Sequence, residues 1–283
     1  MTRRGLIAPA LASLVAGCSP LGVLNTLGPR DSGAGRVAKG LAYGADDRQR
    51  FDLYAPGGGA NLPVVVFFYG GGWDSGSKDL YGWAAQALAA RGFLVALPDY
   101  RLSPDVHFPA FIEDAAMATA AATDVAPRHG GDPTRLAVSG HSAGAHLAMM
   151  ITLDRRYMAG VERPDLIKAV AGLAGPYDFL PFDVAASRNA FGRAPDPTLT
   201  QPVTFARADA PPVWLAHGTD DTTVHAEDSE ILHARLSELG APSTLRLYEG
   251  LNHADLIATF SPLFRRKASV LDDMAAFLGT ALA

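Results

Sequence analysis

Hydrophobic residues between positions 50 and 278 cluster in short runs that alternate with longer stretches of helical composition. Residues 50–54 alternate polar and apolar and end at Pro56 and the Gly57-Gly58-Gly59 turn, as a short strand does. Residues 63–68 form an unbroken Val/Phe run, the pattern of a strand covered on both faces. Further buried strands are predicted at 93–97, 135–139, 167–173, 212–216 and 244–248. Between them, segments at 80–91, 108–125, 142–153, 225–239 and 267–278 predict helices, the first closed by Gly92. Strand and helix in this alternation build βαβ units, and hence a mostly parallel sheet with helices on both faces. One stretch, residues 176–210, breaks the rhythm. Prolines at 176, 181, 195, 197 and 202, with another at 211, prevent a single helix there. The stretch is expected to be an excursion over the carboxyl edge of the sheet, where doubly wound folds bind ligands. Nothing in the pattern marks a second domain.

The 283 residues are 48% hydrophobic and 19% charged, which supports a packed core and excludes wholesale disorder. The formal net charge is −5 and no basic block occurs, so no nucleic-acid partner is expected. The single cysteine, Cys18, excludes an intramolecular disulfide framework and a Cys-rich zinc site. Its surroundings are informative. Arg3 and Arg4 precede an apolar run over 6–16, and small residues follow, which together make an export signal. The run falls short of the roughly 20 residues that a bilayer span needs. Leu14-Val15-Ala16-Gly17-Cys18 resembles the bacterial lipobox, in which the cysteine is diacylated and becomes the first residue after cleavage. That resemblance implies a lipoprotein signal peptide over 1–17, a tether over 18–40 and a folded domain over 41–283. It also implies a membrane partner, the bacterial cell envelope, reached through the lipid on Cys18. Two acyl chains anchor stably where one does not. By the same resemblance, Ser19 rather than Asp after the cysteine implies sorting to the outer membrane, on its periplasmic side.

Candidate chemistry begins at Gly140-His141-Ser142-Ala143-Gly144, a G-x-S-x-G match. It directly follows the predicted strand 135–139 and opens the helix 142–153. A strand-turn-helix elbow holds its serine in a strained backbone above the sheet edge, with glycines removing the clashing Cβ atoms. A serine hydroxyl needs a base. Of the eight histidines, His141 sits within the elbow and is expected to point away, His146 lies one turn into the helix, and His217 ends a buried strand. His253 follows the last predicted strand, where the order Ser, acid, His of such folds places the base. The acid should follow the preceding strand, and both Asp220 and Asp221 do; the residues alone leave that choice open. Tyr69-Gly70-Gly71-Gly72-Trp73, after the strand 63–68, suits an oxyanion hole, completed by the Ala143 N–H. No Gly-Lys-Ser/Thr and no G-x-G-x-x-G accompanies these glycines, which argues against a nucleotide cofactor, and no H-E-x-x-H supports a metal.

With these pieces in this order the chain resembles the α/β-hydrolases, and among them the esterase branch of kynurenine formamidase-like and feruloyl-esterase-like enzymes. The resemblance runs from about residue 48 to 281 and includes Asp99-Tyr100-Arg101-Leu102, Gly175-Pro176-Tyr177-Asp178-Phe179 and the H-G-x-x-D-x-x-V stretch from His217 to Val224. It implies an eight-stranded, mostly parallel sheet and a catalytic triad of Ser142, Asp221 and His253. It further implies oxyanion donors at Gly71, Gly72 and Ala143, and pocket walls at Tyr69, Trp73 and Tyr177. The family usually carries His where this chain has Tyr69; activity is expected to survive that change, with a different mouth to the acyl pocket. The implied activity is hydrolysis of carboxylic esters of short-chain or small aromatic acids, with a small-molecule ester as partner and neither cofactor nor metal. An arylformamidase acting on a C–N bond and a catalytically silent binding domain on the envelope are the alternatives. The intact triad argues against the second.

Overall fold

The computed structural model describes Asn25 and residues 28–283. The leader, the lipobox and Cys18 lie outside the described residues. Eight strands form one sheet: β1 (Ala34–Ala42), β2 (Arg50–Pro56), β3 (Leu62–Phe68), β4 (Leu94–Pro98), β5 (Gly131–His141), β6 (Ile167–Leu173), β7 (Val213–Gly218) and β8 (Ser243–Tyr248). Their spatial order is β1-β2-β4-β3-β5-β6-β7-β8. β1 and β2 run antiparallel to their neighbours, and β3 to β8 are parallel throughout. This is the α/β-hydrolase fold.

The unbroken apolar run of β3 has its physical reason here. Val64, Val65 and Val66 are fully buried because helices cover both faces of the sheet. On one side lie α1 (Lys78–Ala89) and α8 (Val270–Ala281); on the other lie α2 (Ala110–Val125), α3 (Ala143–Leu153) and α6 (Glu227–Glu238). α3 is the most enclosed, with every residue from Ala143 to Leu153 buried. A helix that is apolar all round belongs at the centre of a core.

β1 was not visible in the hydrophobic pattern. None of its residues is fully buried, two glycines interrupt it, and its pairing with β2 shifts register twice. An edge strand with that much exposure carries no period-2 signal. It also corrects the expected tether: residues 34–40 of the 18–40 stretch belong to the sheet. The proline-rich excursion contains α5 (Ala185–Phe191) and two 3-10 turns, Pro197–Thr200 and Pro202–Phe205, joined by irregular chain. Two shorter helices, α4 (Arg155–Gly160) and α7 (His253–Ala258), complete the elements used below.

Chain order fixes where a site can form. After β3 the chain turns to β4 on one side, and β5 returns to the other side of β3. The carboxyl ends of β3 and β5 therefore flank the switch point of the sheet, where loops diverge and leave a crevice.

Candidate active site

Ser142 alone makes the turn between β5 and α3. Its φ of 57° and ψ of −125° lie where L-residues are rarely found. The surroundings hold it there. The Ser142 N–H donates to the Leu173 carbonyl at 2.8 Å. A Cβ on Gly140 would lie 2.3 Å from the Gly144 carbonyl oxygen, and one on Gly144 would lie 2.1 Å from that of Phe68. Both glycines are spatial necessities of the close β3–β5–α3 packing.

The loop after β3 lies beside it. Gly71 and Gly72 have φ of 147° and 59°, and a Cβ on Gly71 would meet the Ser75 carbonyl at 2.3 Å. The Gly71 carbonyl accepts from the N–H groups of Asp74 (3.2 Å) and Ser75 (3.0 Å) and from the Ser75 hydroxyl (2.8 Å). The N–H groups of Gly71, Gly72 and Ala143 donate to no protein group among the described residues. Ala143 opens α3, so its amide is one of the free donors of a helix N-terminus.

His253 opens α7, capped by Asn252, whose side chain accepts from the Asp255 N–H at 2.9 Å. Its Nδ1 lies 2.7 Å from Asp221 Oδ2. A carboxylate only accepts, so Nδ1 carries the proton and Nε2 is left as an acceptor. The other Asp221 oxygen accepts the N–H groups of Thr223 (2.9 Å) and Val224 (3.0 Å). Burial by itself would raise the Asp221 pKa. Hydrogen bonds from His217 and His253, and the Val224 N–H, outweigh it and hold the carboxyl well below the usual carboxylate range. Asp220 is exposed and meets the Thr219 hydroxyl at 3.2 Å. The imidazole therefore faces Asp221, and Asp220 is a solvated neighbour. The Ser142 hydroxyl is not hydrogen-bonded to His253; such contacts commonly tighten only around substrate.

Three histidines absent from the implied triad surround it. His217, the last-but-one residue of β7, places Nε2 3.3 Å from Asp221 Oδ2 and 2.9 Å from the Val224 carbonyl, while Nδ1 meets Ser229 Oγ at 2.8 Å. The four-residue spacing of His217 and Asp221 across one turn was the signal for that contact. The His141 ring makes no hydrogen bond to Ser142 among the described residues, and its Nε2 meets the backbone carbonyl of His253 at 3.1 Å. Burial, and then the neighbouring His253, push the His141 pKa down to about 3, so its ring is neutral. His146 accepts from Trp73 Nε1 at 3.3 Å and reaches the Thr200 carbonyl at 2.9 Å; burial lowers its pKa to about 4.

The aromatic residues expected as pocket walls divide. Tyr69 and Tyr177 are fully buried. Tyr69 stacks on Tyr100 and its hydroxyl accepts from Arg48 at 2.7 Å; Tyr177 fills the space over Gly172 and Gly175. Both support the site from behind, because close packing leaves no room for a ligand against either ring. Trp73 keeps 5% of its surface exposed. It packs against Phe191 (4.7 Å), His146 (5.3 Å) and Phe179 (5.7 Å), which ties the loop after β3 to the excursion and to α3. A cavity of about 490 Å³ between α2 and α4 includes Phe108, Met117, Arg156 and Tyr157 in its wall, and none of the constellation's residues. Among the described residues no group of three or more His, Cys, Asp or Glu side chains is placed to hold a metal, and no helix is long and apolar enough to cross a membrane.

This geometry has relatives. A family model described as BD-FAE matches residues 51–236. The chain belongs to the BD-FAE family. The matched part of this BD-FAE member holds the Gly-rich loop after β3, the elbow and Asp221, and ends before His253. The chain is 30% identical over 266 residues to an isoprenylcysteine alpha-carbonyl methylesterase of Arabidopsis thaliana, covering 86% of this chain and 62% of that protein. It is 31% identical over 217 residues to the esterase LipC of Mycobacterium tuberculosis, covering 69% of this chain and 54% of the relative. The chain thus spans a little over half the length of these curated relatives. The crystal structure of the carboxylesterase EstE1, from a metagenomic library, superposes with a TM-score of 0.77 at 22% identity over 92% of each chain.

Proposed function

We propose that this BD-FAE member is a serine hydrolase that cleaves carboxylic esters of short-chain or small aromatic acids through an acyl-enzyme. The observation that carries the reading is the 2.7 Å bond from His253 Nδ1 to Asp221, on the same sheet edge as the strained Ser142. In this reading His253 Nε2 takes the Ser142 proton as Oγ attacks the ester carbonyl. The amides of Gly71, Gly72 and Ala143 receive the oxyanion. The alcohol leaves with the proton from His253, and water, activated by the same imidazole, releases the acid. Asp221, ionised and buried, stabilises the imidazolium. Esterase names among the relatives support the reaction class.

A compact acyl group is favoured by the fastening of the excursion. α5 sits directly over the oxyanion loop: a Cβ on Gly72 would lie 3.3 Å from that of Ala186. The prolines leave the excursion no long apolar helical face to cover a lipid groove. Each further buried CH₂ is worth about 0.8 kcal/mol only where a dry groove receives it. A series of p-nitrophenyl esters from acetate to palmitate tests this. kcat/KM is expected to peak within the first few carbons, and a rise persisting to palmitate would overturn the acyl preference. Ser142→Ala is expected to cost about 10⁴ to 10⁶ in turnover; near-normal turnover in the folded variant would remove Ser142 from the reaction. The kynurenine formamidase-like resemblance extends the substrates to aryl formamides, and paired ester and anilide substrates separate the two. The lipobox resemblance completes the proposal with a lipid anchor on Cys18 at the cell envelope. Fatty-acid labelling of cells is expected to tag the wild type and spare Cys18→Ser.

A further inference from the structure

The base loop lies at the end of a buried polar chain that the triad does not use. His141 Nδ1 lies 3.0 Å from the Tyr81 hydroxyl, and His141 Nε2 lies 3.1 Å from the His253 carbonyl. The carbonyl can only accept, so Nε2 carries the proton. The neutral ring then offers Nδ1 as an acceptor, and the Tyr81 O–H must donate to it. The directions along the chain are fixed: Tyr81 to His141, His141 to the backbone of His253. Tyr81 is held in turn on α1, 97% buried, with its ring against Tyr69 and Phe67. The oxyanion loop abuts the middle of the chain, because a Cβ on Gly70 would lie 3.1 Å from His141 Nδ1 and 2.9 Å from Ser142 Cβ.

We propose that His141 is a positioning residue for the base: held by the Tyr81 hydroxyl, it pins the His253 carbonyl and so sets the approach of the His253 imidazole to Ser142. The proposal rests on the reading of His253 as the base. It gives a role to the buried histidine directly beside the nucleophile. Asp221 fixes the ring of His253 through Nδ1, but a ring held at one atom can still swing with its backbone. The His141 contact fixes that backbone. The His141 and His253 rings lie 4.8 Å apart, so a shift in one is felt by the other.

The test uses the full chain, with kcat counted per active site titrated to completion by an aryl phosphonate, so that misfolded protein is left out. Tyr81→Phe keeps the ring and removes the hydroxyl; His141→Leu removes both links. Each is expected to lower kcat roughly 10- to 100-fold with KM within about threefold, the cost of a base displaced by a fraction of an ångström. His141→Gln, whose amide N–H can reach the same carbonyl, is expected to recover several-fold in kcat over His141→Leu. The double variant Tyr81→Phe/His141→Leu is expected to fall within about threefold of the worse single variant, since either change already breaks the chain. Wild-type kcat in Tyr81→Phe, equal kcat in His141→Gln and His141→Leu, or multiplied losses in the double variant would overturn the proposal. His253→Ala keeps the two readings apart. If that variant retains turnover, the base assignment itself fails, whatever the chain does.

Discussion

The loops that carry Ser142 and His253 reach the same edge of the sheet by different means. The elbow is held by backbone sterics. Ser142 bridges β5 and α3 in one residue, and the glycines at 140 and 144 exist because neighbouring carbonyls occupy the space of a Cβ. The loop proposed to carry the base is held by side chains from distant parts of the chain: Asp221 on the imidazole, His141 on the carbonyl, and the Thr219 hydroxyl accepting from the Gly250 N–H at 2.9 Å. In the base loop Gly250 has φ of 71°, yet a Cβ there would meet nothing within 4 Å. One loop is built by exclusion of volume, the other by long-range hydrogen bonds. Damage to the first should therefore appear mainly as lost stability, and damage to the second mainly as lost rate.

The sharpest break of that contrast comes from the acid. Asp221→Asn is expected to reduce turnover about 10³- to 10⁴-fold, because the imidazole loses its orienting charge. Asp220→Asn is expected to cost less than roughly tenfold. Steady-state kinetics on the pair decides, and the reverse ranking would move the acid to Asp220. Next in size is Gly144→Ala. Its Cβ would enter the Phe68 carbonyl, and overpacking against backbone costs about 3 kcal/mol or more, read as a lowered urea midpoint. A variant as stable as wild type would refute the steric account of the elbow.

Acid stability tests both regions at once. His141 and His146 are buried neutral, with pKa values near 3 and 4, against about 6.5 for an unfolded histidine. Between pH 6.5 and those values the unfolded chain binds protons that the native state does not. Stability is therefore complete above about pH 6.5 and falls as the pH drops toward 4, by on the order of a few kcal/mol per histidine. Melting curves from pH 7.5 to 4 are expected to show that decline, and a shallower one in His146→Gln. The smallest effect is reserved for Gly250→Ala, where only the positive φ resists, at about 1 kcal/mol. A larger loss of stability there would show that the base loop is also sterically held.

The same contrast accounts for what could be read from the sequence. The elbow and the glycine loop after β3 were legible as motifs because crowded backbone admits few residue types, so Gly140, Gly144, Gly71 and Gly72 leave a fixed local signature. The buried strands were legible because two covered faces demand continuous apolar runs. β1 was not, since an exposed and twice-shifted edge strand demands nothing periodic. The partners of the base loop were equally hidden: Tyr81 and His141 lie 60 positions apart and His141 and His253 lie 112 apart, and no local pattern joins them. Tyr69 and Tyr177 looked like pocket residues because they stand in the right stretches. Only the packing shows that both face inward.

The clasp between Trp73 and Phe179, Phe191 and His146 has a consequence for how the proposed esterase would meet a water-insoluble substrate. A lipase that must uncover itself responds to an oil–water interface with a jump in rate, because the interface stabilises its open form. Here Phe179 and Phe191 of the excursion pack on Trp73, and His146 of α3 accepts from Trp73 while its other ring nitrogen meets the Thr200 carbonyl of the excursion. An opening of the excursion would have to break these contacts together. The rate should follow the concentration of dissolved ester and level off as the solution saturates, with no second rise when droplets appear.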